Sequence, residues 1–177
     1  RLDILVNNAG VGYSESGRFK MAGVVDTPEE AWDAILAINL KGVAMGCKHA
    51  LPIMAAQGGG AIVNIGSMSG IISNRPQKQT YYNAAKAAVH QMTSSLAAEW
   101  ADRGVRVNAV APTYIETEMT SYRHDNAGMI DVWLRDTPMH RMGRPDEIAS
   151  VVHFLASDAS SLMTGTTVVA DGGFTCW

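Results

Sequence analysis

The sequence predicts an α/β fold in which a parallel sheet is wound on both faces by helices. Two observations carry that expectation. Short apolar, β-branched runs alternate with longer segments of helical period, the pattern of parallel strands joined by helical crossovers. The chain is also 177 residues long, the span of one compact unit with a sizeable core rather than of two.

The runs, in order, are Asp3-Ile4-Leu5-Val6, Ala61-Ile62-Val63-Asn64-Ile65, Val105-Arg106-Val107-Asn108-Ala109-Val110 and Thr167-Val168-Val169-Ala170. The first already reads as a buried strand from Leu2, directly after Arg1, and a natural N-terminus seldom begins inside a strand. Between the first two runs, Thr27-Pro28-Glu29-Glu30 has the form of a capping box, with Thr27 as N-cap and Pro28 at the first helical position. The helix it opens is expected to reach about Gln57, with a break near Gly42. Gly58-Gly59-Gly60 follows a helix and precedes a strand, so it is expected to be a helix stop and tight turn rather than a phosphate loop.

From Tyr81 to Arg103 the sequence is Ala-rich and free of Gly and Pro, and Gly104 closes it in the manner of a C-terminal cap. Arg144-Pro145-Asp146-Glu147 opens a further helix ending near Ser157-Asp158. Thr113 to Gly143, rich in Tyr, Met, His and charge, is expected to be an irregular lid over a substrate pocket, with its methionines as lining.

Composition excludes several partner classes. A net charge of -3 without clustered Lys or Arg offers no pull toward nucleic acid or anionic lipid. Apolar stretches are interrupted well before the roughly 20 residues of a bilayer span. Cys47 and Cys176 lie far apart and make no metal-type spacing, which fits a reducing compartment and a cytoplasmic location. His49, His90, His124, His140 and His153 show no zinc-site spacing, so no metal is expected and they are taken as surface or packing residues.

Chemistry concentrates at the carboxyl ends of the strands, where open α/β sheets bind ligands. Tyr82-Asn83-Ala84-Ala85-Lys86 sets a phenol and an ammonium on one helix face, about 5 to 6 Å apart at Cβ. An ammonium there favours phenolate, and a Tyr poised near neutral pH exchanges protons with an alcohol or ketone. Ile65-Gly66-Ser67-Met68-Ser69-Gly70 offers hydroxyls that can hold a ligand oxygen, from either Ser67 or Ser69. Asn7-Asn8-Ala9-Gly10 ends the first strand, and Asn39 stands within an apolar helical segment. Asn108 to Pro112 leads into Thr113-Tyr114-Ile115-Glu116-Thr117-Glu118-Met119. Structural roles compete at two of these positions: Asn8 suits a turn that caps the strand, and Asn39 suits a helix kink.

Over essentially its whole length the chain resembles the short-chain dehydrogenase/reductase family, whose Asn-Asn-Ala-Gly, Asn, Ser, Tyr-x-x-x-Lys and Pro-Gly-x-x-x-Thr elements match in order. The resemblance implies a Rossmann-like doubly wound sheet and NAD or NADP as cofactor. It also implies that Ser67, rather than Ser69, polarises the oxygen of an alcohol or ketone substrate. Tyr82 would then be the acid/base, and Lys86 would lower the tyrosine pKa and bind the nicotinamide ribose. Lowering that pKa from about 10 toward 7 takes about 4 kcal/mol, supplied by Lys86 together with a cationic nicotinamide ring. Asn39 would hold a water in the proton relay. Asn8, Ala9 and Gly10 would line the adenosine-ribose side, and Pro112, Ile115 and Thr117 the nicotinamide. The family also implies a homo-oligomer, commonly a tetramer, packed through helices near 41 to 57 and 82 to 103 and through the last strand.

Two departures stand out. The family begins with a strand and a Thr-Gly-x-x-x-Gly-x-Gly turn that cradles the pyrophosphate. Neither is in these 177 residues, so residues 1–177 are expected to be the catalytic and C-terminal portion of a single domain, an incomplete fold lacking the first strands and helices. Thr113 stands where the family has Gly, and a positive φ there would strain it. Asn74-Arg75-Pro76-Gln77 and Asp171 to Trp177 resemble the polyol and sugar-alcohol dehydrogenases, with Asn74, Gln77, Glu116 and Glu118 as polar candidates for a multihydroxyl substrate. The alternative activity is 3-oxoacyl thioester reduction. The alternative of another class is a truncated, non-catalytic assembly homologue.

Overall fold

The structure is a computed structural model that describes residues 1–12, 22–120 and 127–177. Its strands are β1 (Ile4–Asn7), β2 (Gly60–Ile65), β3 (Val105–Pro112) and β4 (Thr167–Ala170), all parallel, in the order β1-β2-β3-β4. Helices α1 (Glu29–Leu36) and α2 (Val43–Ala56) join β1 to β2, and α3 (Thr80–Trp100) joins β2 to β3. Helices α4 (Ala127–Asp136) and α5 (Pro145–Ala156) lie between β3 and β4.

The two-residue period of the strands divides the core. Ile62, Val105 and Val107 meet Cys47, Leu51 and Met54 of α2 and Val89 of α3. Val63 and Val110 point the other way, onto Leu155 of α5. Each of these side chains is almost wholly withdrawn from water, stabilising the fold by about 1.5 to 3 kcal/mol apiece. Arg106 ties the second layer down: Nη1 donates to Leu155 O at 2.9 Å and Nη2 to Ser157 O at 3.1 Å, satisfying carbonyls that the end of α5 leaves open.

Several expectations need correcting in detail. β1 is not buried: Ile4 is 49% and Val6 39% exposed, because β1 pairs with β2 on one side and has no strand on its other side among the described residues. Thr27 does not cap α1. Pro28 is the N-cap, and the Thr27 hydroxyl donates instead to Gly23 O at 2.8 Å. The break near Gly42 is a π-helical turn over Ala37–Gly42. The expected lid contains a regular helix, α4, whose Trp133 is 1% exposed; residues 121–126, His124 among them, lie outside the described residues. The glycine expectations hold: Gly58 and Gly59 stop α2 with φ of 92° and 145°, and Gly104 follows a short 3-10 turn after α3 with φ of 75°.

Candidate active site

The carboxyl ends of β1, β2 and β3 open onto a cavity of about 660 Å³. Ser67, Tyr82 and Lys86 line its floor, and Pro112, Ile115 and Thr117 line one side. Asn8 and Gly10 reach it from the loop after β1. Ala9 is exposed and does not line it, and neither does Asn39.

At the floor, the Ser67 hydroxyl lies beside Tyr82, close enough to favour its phenolate. Ser67 is placed as the N-cap of a short 3-10 turn, its Oγ accepting from Ser69 N at 3.1 Å. The Ser69 hydroxyl is engaged elsewhere, by Gln79 Nε2 at 3.2 Å, so the geometry separates the two serines. It separates the two tyrosines too: Tyr81 is fully buried, its ring 5.7 Å from that of Trp32.

One turn along α3, Lys86 is 6% exposed and its Nζ donates to Ile65 O at 2.8 Å. Nζ also stands 5.7 Å from the centroid of the Tyr82 ring. Burial lowers the Lys86 pKa to about 8. Burial likewise raises that of Tyr82, and the neighbouring Ser67 hydroxyl offsets this only in part. The expectation joins Lys86 with a cationic nicotinamide ring, and in the protein by itself burial holds the phenol above its ordinary value. The phenolate is desolvated, and the ammonium is directed at a backbone carbonyl.

The loop after β1 is held by Asn39, which is fully buried in the π turn. Its Oδ1 accepts from Val11 N and its Nδ2 donates to Val11 O, both at 2.8 Å. Both ends of this amide are spent on backbone, so the side chain positions the loop beside Gly10. Beneath the floor, a second amide network braces the strands. Asn7 Nδ2 donates to Asn64 Oδ1 at 2.8 Å, and Asn64 Nδ2 to Thr93 Oγ1 at 2.9 Å.

The family model described as Enoyl-(Acyl carrier protein) reductase matches residues 1–175. A galactitol 2-dehydrogenase of Rhizobium johnstonii is 56% identical over 175 residues, which cover 98% of this chain and 65% of that protein. The chain belongs to the short-chain dehydrogenase/reductase family. The 3-oxoacyl-[acyl-carrier-protein] reductase of Thermotoga maritima is 44% identical over 173 residues, 98% of this chain and 66% of that one. The crystal structure of a gluconate 5-dehydrogenase from Burkholderia cenocepacia in complex with NADP and tartrate superposes with a TM-score of 0.91 at 35% identity. That match covers 99% of this chain and 65% of the other. The chain thus spans about two thirds of the length of these relatives.

For a member of the short-chain dehydrogenase/reductase family, the residues present suit the nicotinamide side of a dinucleotide. Lys86 donates to Ile65 O alone among the described residues, leaving two N–H groups for hydroxyls of a ligand. A Cβ at Gly10 would lie 3.2 Å from Asn39 Oδ1 and 3.9 Å from Lys86 Nζ, so a glycine keeps this approach open. Thr113 carries no left-handed strain, since its φ is not positive. Its hydroxyl is buried without a hydrogen-bond partner.

Of the polar candidates for a substrate, Gln77 lines the cavity, whereas Glu116 and Glu118 are exposed and stand outside it. Asn74 lines a neighbouring cavity of about 500 Å³. Sequence reasoning missed His90, whose Nε2 accepts from Ser67 N at 3.3 Å in space left by Gly66 and Gly70. A signal was available: 82, 86 and 90 repeat at one helical spacing, which sets His90 on the same face as Tyr82 and Lys86. His153 also lines the cavity.

Proposed function

We propose that residues 1–177 are the catalytic and C-terminal portion of a single-domain, NAD- or NADP-dependent oxidoreductase acting on the secondary alcohol of a polyol or sugar alcohol, or on the matching ketone. The observation that carries this is the convergence of Ser67, Tyr82 and Lys86 on the floor of one cavity, with Lys86 Nζ 5.7 Å from the centroid of the Tyr82 ring. The relative described as galactitol 2-dehydrogenase supports the substrate class, and the relative crystallised with NADP supports the cofactor.

When bound, the nicotinamide supplies or accepts the hydride. The chain's own residues handle the oxygen. The Ser67 hydroxyl holds the substrate oxygen beside Tyr82 Oη. In the reducing direction Tyr82 gives its proton to that oxygen, and in the oxidising direction its phenolate takes the proton back. Lys86 holds ribose hydroxyls through the N–H groups not spent on Ile65 O, and its charge lies close to the phenolate that forms. Because burial favours the neutral phenol, Tyr82 rests as the acid, and oxidation draws on additional positive charge at the site. Asn8, Gly10, Pro112, Ile115 and Thr117 form the surrounding walls.

The full-length protein, offered a panel of hexitols and pentitols with NAD and with NADP, is expected to reduce one of the two nucleotides. Absence of polyol turnover together with brisk reduction of a 3-oxoacyl thioester would overturn this in favour of the second reading, which the Thermotoga maritima relative supports. The other alternative, a non-catalytic assembly homologue, predicts that the 177-residue chain assembles cleanly and binds no nucleotide; nucleotide binding in a titration would rule it out.

The same proposal includes a cytoplasmic homotetramer, joined through α2, α3 and β4. Exposed Met45 and Ile53 on α2 and Val169 on β4 support such contacts. Among the described residues no helix is long and apolar enough to cross a membrane. No group of three or more His, Cys, Asp or Glu side chains among them is placed to hold a metal ion.

A further inference from the structure

Tyr114, in the loop that follows β3, also lines the cavity. Its ring lies on that of Trp133, with centroids 3.9 Å apart and planes within 6° of parallel. The Phe174 ring meets it edge-on at 5.7 Å. Held on a face and an edge, the ring cannot swing without breaking a stack.

Hydrogen bonds settle what the phenol can do. The Trp133 indole N–H, a donor only, reaches Gln77 Oε1 at 3.1 Å. This fixes the Gln77 amide, so that its Nε2 is the group that faces Tyr114 and donates to Oη at 2.7 Å. Asn74 Nδ2 donates to the same oxygen at 3.2 Å. Two donors occupy both lone pairs of the phenol, which leaves its own proton as the one thing it can offer. No described residue accepts that proton in this orientation of the Asn74 amide, whose own Oδ1 is buried without a partner. Burial pushes the Tyr114 pKa up to about 12, so the proton stays in place through the ordinary range of pH.

We infer that Tyr114 is a specificity-determining donor of this cavity, giving its O–H to an acceptor oxygen of the substrate beyond the reacting carbon and so selecting polyhydroxylated substrates over apolar secondary alcohols. The inference rests on the oxidoreductase reading above. Its energetic basis is asymmetric: a substrate with an oxygen at that point gains a hydrogen bond, and one without it leaves a buried donor unmet. The relay from Trp133 through Gln77 serves to keep the phenol's lone pairs filled and its proton outward.

Two variants of the full-length protein test this, with kcat/KM measured on a hexitol and on 2-butanol. Tyr114→Phe keeps the stack and removes the donor. Gln77→Glu keeps the phenol and offers it a carboxylate acceptor, drawing the proton away from the cavity; it serves as the second reading if the first variant folds poorly. The ratio of kcat/KM for hexitol over 2-butanol is expected to fall roughly tenfold to a hundredfold in each. An unchanged ratio in folded variants overturns the inference while leaving the polyol activity standing. A parent protein with no hexitol turnover overturns the oxidoreductase reading, and this inference with it. Including an aldonate separates the two oxygen sources. A ratio that falls for hexitol places a hydroxyl at Tyr114, and one that falls for the aldonate alone places a carboxylate there and overturns the polyol assignment.

Discussion

The loops after β1 and β2 face the same cavity but are built in opposite ways. The β2 loop rises from a strand paired on both sides, is stapled to His90, and carries Ser67 at 8% exposure. The β1 loop rises from a strand that, among the described residues, is paired on one side only, and its Asn8 and Ala9 are exposed. Among the described residues it is held by the buried clamp of Asn39 on Val11, by the packing of Val11 against the cluster of Ile35 and Tyr81, and by Asn8 N donating to Val6 O. The contrast teaches that the proton-handling side of the site is braced by contacts within these 177 residues. The loop after β1, with Asn8 and Gly10, shows fewer such contacts among the described residues.

The sharpest test of that division removes the proton donor alone. Tyr82→Phe in the full-length protein is expected to lower kcat about 10² to 10⁴-fold while leaving the melting temperature nearly unchanged; retained turnover would take Tyr82 out of the mechanism. Next in size, Asn64→Ala strips partners from Asn7 and Thr93 in the buried network under the floor. Urea unfolding should show a loss of about 2 to 3 kcal/mol, and a loss under half of that would mean the floor is not braced as described.

A smaller effect depends on pH. Lys86 has its folded pKa lowered from 10.5 to about 8. Below pH 8 both states carry the charge. Above it the unfolded chain holds the proton more tightly than the folded one, so stability rises with pH. From pH 9 the buried Cys47 thiol, pushed up to about 11, acts in the opposite sense, which leaves pH 8 to 9 as the clean window. Lys86→Met should abolish the rise in melting temperature across that window, and a slope that survives would assign it to another group. The smallest change is expected at β1. Ile4→Lys, at a half-exposed position, should alter the stability of the 177-residue chain by no more than about 0.5 kcal/mol; a large loss would show that β1 is braced after all.

The strands and long helices were legible because apolar runs and helical period record burial directly, as the two-sided packing of Ile62 and Val63 shows. An apolar run such as Ile4–Val6 states what a strand can bury, and among the described residues only β2 pairs with it. Thr27 was misplaced because a hydroxyl near a helix start has several backbone partners within reach, and Gly23 O won. Ser67, Tyr82 and Lys86 are expected from a strand end and a helical spacing only with the family resemblance added, and the structure brings all three to one cavity. The stack of Tyr114 on Trp133 could not be read, since it joins residues from separate elements and leaves no period in the sequence.

The π turn at Ala37–Gly42 carries one last consequence, for changes in chain length. A widened turn of this kind stores a residue more than a regular helix needs while its flanks continue as α-helix. Deleting one residue there should let α1 and α2 merge into a single helix with both ends still seated. The damage would fall almost entirely on Asn39, whose grip on Val11 depends on the bulge. A length polymorphism in mid-helix, ordinarily ruinous, would here be tolerated by the fold and felt in the first loop of the cavity.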